Sequence, residues 1–275
     1  MQRSLIPSMI TISNKPIARG RTAEIYAWDE GWIVKLFHDW VSEEKIKYEA
    51  RISHLIHTSG LPVPATGEIV NMNGRIGLIY QRIDGFPMWP DGLTAAPWRI
   101  FHFARRTAEL HALIHDSPIM SEVPPQRERL INKIHDAVSL PADVRKKVLA
   151  ALQKLPNDYR LCHGDFHPAN ILITVQKEFI IDWIDATLGN PVADVARTTI
   201  ILLGAAARQI QQPFYKWVVH LFHTIYLNHY FSLRPASKHE YALWLPVVAA
   251  ARMSENITEL DTWLFEQTVR HLKNG

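Results

Sequence analysis

The sequence predicts an α+β chain in which the strands come first and the helices follow. Two textures carry this reading. From Ile17 to Arg82 short extended runs alternate with turn residues around one helical insert, and after Gly85 long patterns of helical period take over. A third observation locates the chemistry: Cys162-His163-Gly164-Asp165-Phe166-His167-Pro168-Ala169-Asn170, with Asp182 twelve residues beyond Asn170.

In the first segment, Gly20 to Tyr26 leads into an extended run and Asp29-Glu30-Gly31 makes a turn. Trp32 to Phe37 then reads as a half-buried strand with one charge, Lys35, among apolar residues. A lysine in that setting needs a partner, because an isolated buried charge is costly. The next element offers two. Ser42 caps a helix whose first turn holds Glu43 and Glu44, with Tyr48, Ile52, Leu55 and Ile56 at helical spacing and Gly60 as the stop; Glu44 and Glu49 both lie on it. Asn73-Gly74 signals a hairpin between Val70 and Ile76, and the strand from Ile76 to Arg82 ends at Ile83-Asp84-Gly85.

After Gly85, Phe86 to Gly92 reads as a loop with an exposed aromatic, Trp89. A helix from about Ala96 to Ile114 carries Phe101, Ala104, Ala108, His111 and His115. The two histidines share a helix face at a metal-binding spacing, but position 112 is Ala rather than Glu and no third ligand is evident, so packing and hydrogen bonding are the better reading. Further helices are predicted at Gln126 to Val138 and Ala142 to Leu155. The aromatics Trp217, Phe222, Tyr226, Tyr230, Tyr241, Trp244 and Trp263 read as core. Arg252, Glu255, Asn256 and Glu259 are read as one helical turn apart, where acids suit a cationic ligand or a solvated face equally.

The central stretch reads as a loop, a strand (Ile171 to Ile173), a polar turn and a second strand (Phe179 to Ile181) that delivers Asp182. Oxygen donors of this kind suit Mg²⁺. Asp165 is then spared to orient a hydroxyl, with Asn170 and Asp182 on the metal, which is the division of labour of phosphoryl transfer.

The whole composition bounds the rest. With 275 residues, 47% of them hydrophobic and 21% charged, the chain is an ordinary globular protein and not a disordered one. A net charge of +3 is small, and the Arg105-Arg106 and Arg145-Lys146-Lys147 clusters read as solvated helix faces, so no nucleic-acid partner is expected. Cys162 is the sole cysteine and excludes an internal disulfide; it reads as a small buried hydrophobe. Met1 to Pro16 lacks the apolar run of a signal peptide, and the most apolar windows, Thr198 to Ala207 and Leu243 to Ala251, are too short for a bilayer. No membrane association and a cytoplasmic location are expected.

His-Gly-Asp-x-His-x-x-Asn followed by Ile-Asp-Trp resembles the aminoglycoside phosphotransferase and choline kinase superfamily, in which His-Gly-Asp stands where protein kinases have His-Arg-Asp. The resemblance implies a two-lobed, protein-kinase-like fold. A small β-rich lobe, residues 1–85, would bind nucleotide and end in a hinge; a helical lobe, residues 86–275, would hold the catalytic loop and acceptor site. It implies ATP as co-substrate with Mg²⁺, Asp165 as catalytic base, and Asn170 and Asp182 as metal ligands. Lys35, paired with Glu49, would bind the α- and β-phosphates, covered by the backbone around Gly20, Arg21 and Thr22. Tyr80 would lie behind the adenine, and the Gln81 carbonyl and Ile83 N–H would bind its edge.

By the same resemblance His163 holds the loop, and His167 bonds to backbone or approaches the phosphates. Asp194 is structural, accepting bonds from the catalytic-loop backbone or pairing with Arg197. Asp185, Trp89, Glu255 and Glu259 are candidates for the acceptor side. The chain departs from the protein-kinase pattern in having no Gly-x-Gly-x-x-Gly, in placing Trp183 after Asp182, and in lacking an Ala-Pro-Glu-like segment downstream. The expected activity is ATP-dependent γ-phosphoryl transfer to a hydroxyl of a small molecule: an aminoglycoside, amino alcohol, sugar or similar compound. The alternatives are a nucleotide-binding regulatory module without catalysis and, less favoured, a protein kinase.

Overall fold

The computed structural model describes residues 15–89, 98–117, 122–208 and 212–272. The expected loop residues Pro90 to Gly92 and the expected helix start at Ala96 lie outside them. In chain order the strands are β1 (Ala18–Arg19), β2 (Ala23–Ala27), β3 (Trp32–Phe37), β4 (Thr66–Met72), β5 (Arg75–Gln81), β6 (Phe86–Pro87), β7 (Arg160–Cys162), β8 (Ile171–Ile173), β9 (Glu178–Ile180) and β10 (Thr187–Gly189). The α-helices are α1 (Glu43–Thr58), α2 (Arg99–Asp116), α3 (Gln126–Asp136), α4 (Ala142–Lys154), α5 (Pro191–Arg208), α6 (Pro213–Leu233), α7 (Lys238–Arg252) and α8 (Asp261–Leu272). They divide into two compact units. One holds the described residues up to Gly85 together with Leu172–Ile184; the other holds Phe86–Ile171 and the chain from Asp185 onward.

The first unit is an antiparallel sheet in the order β1-β2-β3-β5-β4. Asn73 and Gly74 both take positive φ, 51° and 87°, the two-residue turn whose twist matches a β4–β5 hairpin. Register places Ile25, Lys35 and Leu78 in one row across β2, β3 and β5. On that face Ala23, Phe37 and Leu78 form a core with Ile46 of α1. The hydroxyl of Ser42 accepts the Lys45 N–H and caps α1, whose first turn carries Glu43 and Glu44, and Gly60 at φ 86° follows its end. Ile46, Glu49, Ile52, Ser53 and Ile56 form its buried face. Tyr48 and Leu55, expected to share that stripe, are only half-buried at its margin. Residues Leu172–Ile184 join this unit although they lie beyond Gly85 in sequence: the Ile180 N–H binds the Pro62 carbonyl at 2.8 Å, and Asp182 pairs with Lys35.

The second unit is built around α7. Its run Trp244-Leu245-Pro246-Val247-Val248-Ala249-Ala250-Ala251 is buried on every side, and residues of α3, α4, α5 and α8 share its core. A helix apolar all round must be enclosed, and its alanines let neighbours approach closely. Not every aromatic expected in the core lies there. Phe222, Tyr226, Tyr230 and Trp244 are buried, whereas Trp217 is 59% exposed and stacks on exposed Phe214. Trp217 and Phe214 lie on the outer side of α6, so aromatic spacing alone misplaced one of the set. Phe101 on α2 is likewise exposed. Among the described residues no helix is long and apolar enough to cross a membrane.

Ile52 is fully buried on α1 and Leu55 is not. Ile52→Ala is expected to lower unfolding free energy by about 2–5 kcal/mol, and Leu55→Ala by less, measured by urea denaturation.

Candidate active site

In the first unit a polar cluster gathers on Lys35. Lys35 Nζ lies 2.6 Å from Glu49 Oε1 and 3.2 Å from Asp182 Oδ1. Glu44, the competing partner, is exposed in the first turn of α1. Burial alone would push the Lys35 ammonium towards neutrality, but the Asp182 and Glu49 carboxylates outweigh it and hold its pKa above the usual lysine range. The Tyr80 hydroxyl donates to the same Glu49 oxygen at 2.9 Å and lies 3.0 Å from the Ser53 hydroxyl. Burial, with Glu49 beside it, keeps Tyr80 a neutral phenol. Tyr80 therefore fixes Glu49, a role the sequence reading did not assign. Asp182 sits two residues past β9 at φ 67°, a left-handed conformation that Asp tolerates better than most side chains.

Of the other nucleotide-side candidates, Gly20, Arg21 and Thr22 make the turn between β1 and β2. It is closed by the Gly20 N–H on the Ala23 carbonyl at 2.8 Å, and the Thr22 carbonyl accepts the His38 N–H. Gln81 is tied to Ala65 twice, its backbone N–H donating to the Ala65 carbonyl and its side-chain oxygen accepting the Ala65 N–H. The Ile83 carbonyl accepts the Gly85 N–H at 2.9 Å.

The second unit holds the loop from His163 to Asn170. Its anchor is Asp194 in the first turn of α5, 1% exposed. One carboxylate oxygen accepts the His163 N–H at 2.7 Å; the other accepts the Gly164 N–H at 2.9 Å. Nε2 of His111 and of His115 also meet it, at 3.0 and 3.3 Å, while their Nδ1 atoms meet the Tyr226 and Tyr230 hydroxyls at 2.7 and 2.6 Å. Burial opposes the charge, but the bonds from the two histidines outweigh it and hold Asp194 well below the usual carboxylate range. The two histidines and Asp194 are close enough to enclose an ion, yet each ring nitrogen already has a protein partner. Asp194 thus binds the loop backbone and does not pair with Arg197.

Gly164 turns at φ 78°, and a Cβ there would lie 2.2 Å from the Asp185 carbonyl oxygen. Only glycine fits both demands. His163 is fully buried, and its Nδ1 lies 3.3 Å from the Asp165 N–H. The Asp165 carboxylate projects beyond this support and is partly exposed. His167 Nε2 stands 3.6 Å from it and Arg197 Nη2 3.4 Å. Burial raises its pKa, but His167 first and Arg197 next overcome this, so Asp165 stays ionised well below the usual range. Asn170 donates its amide N–H to the Asp165 carbonyl at 3.0 Å, which leaves its amide oxygen as the donor available to a cation.

The acceptor-side candidates lie in ion pairs and packing contacts of their own. Asp185 is ion-paired to Arg129 and, at 3.0 Å, to Lys133. Burial opposes its charge, and Lys133 and then Arg129 hold it ionised regardless. Glu255 is neither a solvated acid nor a free counter-charge: it binds Arg197 and lies 3.9 Å from Lys133. Glu259 does not continue that face, because Asn256 at φ 51° breaks the chain between two short 3-10 turns. It is exposed, 3.9 Å from Arg208. Trp89 is half-buried and packs edge-on against Tyr215 and Phe222. The sequence reading missed Arg129 and Lys133, which sit one turn apart on α3 and look like any solvated basic pair.

The sequence model described as the phosphotransferase enzyme family matches residues 13–218. The chain belongs to this family. Among curated proteins, none matches. Solved structures share the fold at low identity. A thermostable mutant of aminoglycoside phosphotransferase APH(4)-Ia, in ternary complex with ADP and hygromycin B, is 13% identical with a TM-score of 0.63, covering 96% of this chain and 95% of its own. A choline/ethanolamine kinase family protein from Mesorhizobium loti is 15% identical with a TM-score of 0.59, covering 100% and 96%. Macrolide 2'-phosphotransferase MphH from Brachybacterium faecium is 14% identical with a TM-score of 0.54, covering 96% and 92%. The phosphotransferase family member described here therefore has a kinase-like α+β fold. Family and fold together support a small-molecule phosphotransferase.

The loop anchor generates a pH prediction. Burial first, and repulsion from His111 second, push His115 down to about 3. An unfolded histidine takes its proton near pH 6.5. Below that pH the unfolded chain binds a proton that the folded chain refuses, so stability must fall with pH from about 6.5 towards about 3. Urea unfolding of the wild type should lose roughly 2 kcal/mol between pH 6.5 and 4.5 from this group, and His115→Gln should lose less. Equal slopes would contradict the assignment.

Proposed function

We propose that the chain transfers the γ-phosphoryl group of ATP, in the presence of Mg²⁺, to a hydroxyl of a small molecule. The observation that carries the reading is Asp165. Its carboxylate is held ionised and partly exposed on a loop whose backbone is pinned by Asp194 and whose carbonyl is held by Asn170.

In this reading the acceptor hydroxyl donates a hydrogen bond to Asp165, which aims the oxygen lone pair at the γ-phosphorus. The new O–P bond forms as the bond to the ADP leaving oxygen breaks, and the hydroxyl proton passes to Asp165. A carboxylate with so low a pKa is a weak base, so it orients the hydroxyl first and takes the proton late, which suits a loose transition state. Lys35 stays protonated beside Asp182 and supplies positive charge for the nucleotide phosphates. Glu49 and Tyr80 hold it in place.

Mg²⁺ is the metal proposed, because the Asp182 carboxylate, 40% exposed, and the Asn170 amide oxygen are each hard oxygen ligands of the kind it takes. When bound, Mg²⁺ would neutralise charge on the phosphate oxygens. The backbone of Gly20, Arg21 and Thr22 is proposed to cover the phosphates, and the Gln81 carbonyl and Ile83 N–H to meet the base. A regulatory module without catalysis is disfavoured because Lys35, Asp165, Asn170 and Asp182 are all present.

Asp165→Ala should cut acceptor-dependent ADP release by roughly 10²- to 10⁴-fold while leaving the Kd for ADP near the wild-type value. Lys35→Ala should weaken ADP binding itself. ADP binding that is equally strong in wild type and Lys35→Ala would remove the nucleotide role assigned to the first unit.

A further inference from the structure

We infer that Glu255 is a positioning residue for this transfer: it holds the Arg197 guanidinium and so keeps it from closing a two-point ion pair on Asp165. The inference rests on the role of Asp165 proposed above. Glu255 stands beyond residue 218, where the family match ends.

Arg197 is a cation that must be neutralised where it stands, because its side chain is only 9% exposed. Its Nε donates to the Gly164 carbonyl at 3.1 Å. Its Nη2 meets two carboxylates: Glu255, to which it is hydrogen-bonded, and Asp165 Oδ1 at 3.4 Å. Burial opposes the charge, and Glu255 first and Asp165 next hold the Arg197 pKa above the usual arginine range. Glu255 is therefore the main counter-charge and Asp165 the lesser one. A buried ion that loses its partner is left with a costly unpaired charge. Without Glu255, the carboxylate already in reach of Arg197 is Asp165. An arginine fork engages both oxygens of a carboxylate at once. The lone pairs that must receive the acceptor hydroxyl would then be spent on Arg197.

The backbone around Glu255 is firmly tied. It ends the short 3-10 turn Met253–Glu255 that follows α7, and Asn256 redirects the chain directly after it at φ 51°. Met253 is buried in the core around α7, and the Ser254 hydroxyl donates to the Ala251 carbonyl at 2.8 Å. Two further cations stand at the edge of ion-pairing range of Glu255, Arg252 at 3.8 Å and Lys133 at 3.9 Å. Of these three cations, Arg197 is the one hydrogen-bonded to it. A buried pair of this kind adds little net stability. Its consequence here is that Asp165 keeps a cation at one side without being capped by it.

Two measurements on the full chain test this, and neither needs the acceptor to be identified. The first is a crystal structure of wild type beside Glu255→Met, which removes both charge and hydrogen-bond acceptor. Both Nη atoms of Arg197 are expected on Asp165 in the variant and only Nη2 in wild type; a guanidinium that has not moved overturns the inference. The second is ADP release from ATP and Mg²⁺ with water as the acceptor, with ADP binding followed by calorimetry. Glu255→Met should lower kcat roughly 10- to 100-fold, with KM for ATP and Kd for ADP near the wild-type values. Glu255→Gln, which keeps an oxygen acceptor, should lose less, and it carries both measurements if Glu255→Met does not fold. Adding Arg197→Met to Glu255→Met should cost nothing further, because the harmful pair goes with it, whereas independent structural losses would multiply. Multiplying losses, or an unchanged kcat in Glu255→Met, overturn the inference and leave the phosphotransferase reading standing. Where wild type releases no ADP to water, the crystal comparison decides alone. Folded wild type that does not bind ADP sinks the proposed function and this inference with it.

Discussion

A single carboxylate, Asp194, is taken out of water at the start of α5 and surrounded by N–H donors from His163, Gly164, His111 and His115. Burying a charge is costly unless hydrogen bonds replace the lost hydration. Here two of the replacing donors belong to the backbone that carries Asp165. Once these bonds form, Gly164 is held at positive φ, and its missing side chain leaves room for the Asp185 carbonyl. One turn further along α5, Arg197 donates to the Gly164 carbonyl and reaches the Asp165 carboxylate. The same helix thus grips the loop through an acid on its N–H side and a base on its carbonyl side. The orientation of Asp165 follows from that grip.

The first unit solves the opposite problem, a cation on a sheet face. Lys35 sits in a row with Ile25 and Leu78, where no water could solvate it fully. Glu49 arrives from α1 and Asp182 from the turn after β9, and Tyr80 on β5 spends its hydroxyl on holding Glu49. Buried pairs of this kind add little net stability, because desolvation offsets attraction. Their effect is to keep the Lys35 ammonium charged and fixed in place. That is the expected signature of a site rather than of a scaffold.

Much of this was legible before any coordinates. Ser42, Asn73-Gly74 and the alternation through Lys35 mark their elements because caps, two-residue turns and strand faces are local physics. The spacing from His163 to Asp182 marks the segment proposed to be catalytic through its motif and the family it resembles. What escaped were partnerships made across long stretches of chain. Nothing local separates Glu49 from Glu44, and only the family resemblance pointed to the right one. Arg129 and Lys133 find Asp185 more than fifty residues away, and Arg197 finds Glu255 at a similar distance. On their own elements these side chains look solvated. Glu255, left open between a cationic ligand and a solvated face, takes neither description because Arg197 lies on another helix, whereas Glu259 is exposed. Trp217 was misread because an aromatic on a helix is not obliged to face inward.

The central claim is the proposed role of Asp182 as the carboxylate that holds Mg²⁺ for the nucleotide phosphates. Calorimetric titration of ADP into wild type and Asp182→Asn, with and without Mg²⁺, tests it most directly. The account predicts that Mg²⁺ tightens ADP binding in the wild type and that this gain is lost in Asp182→Asn, with metal-free binding largely kept. An identical gain from Mg²⁺ in both proteins would contradict it.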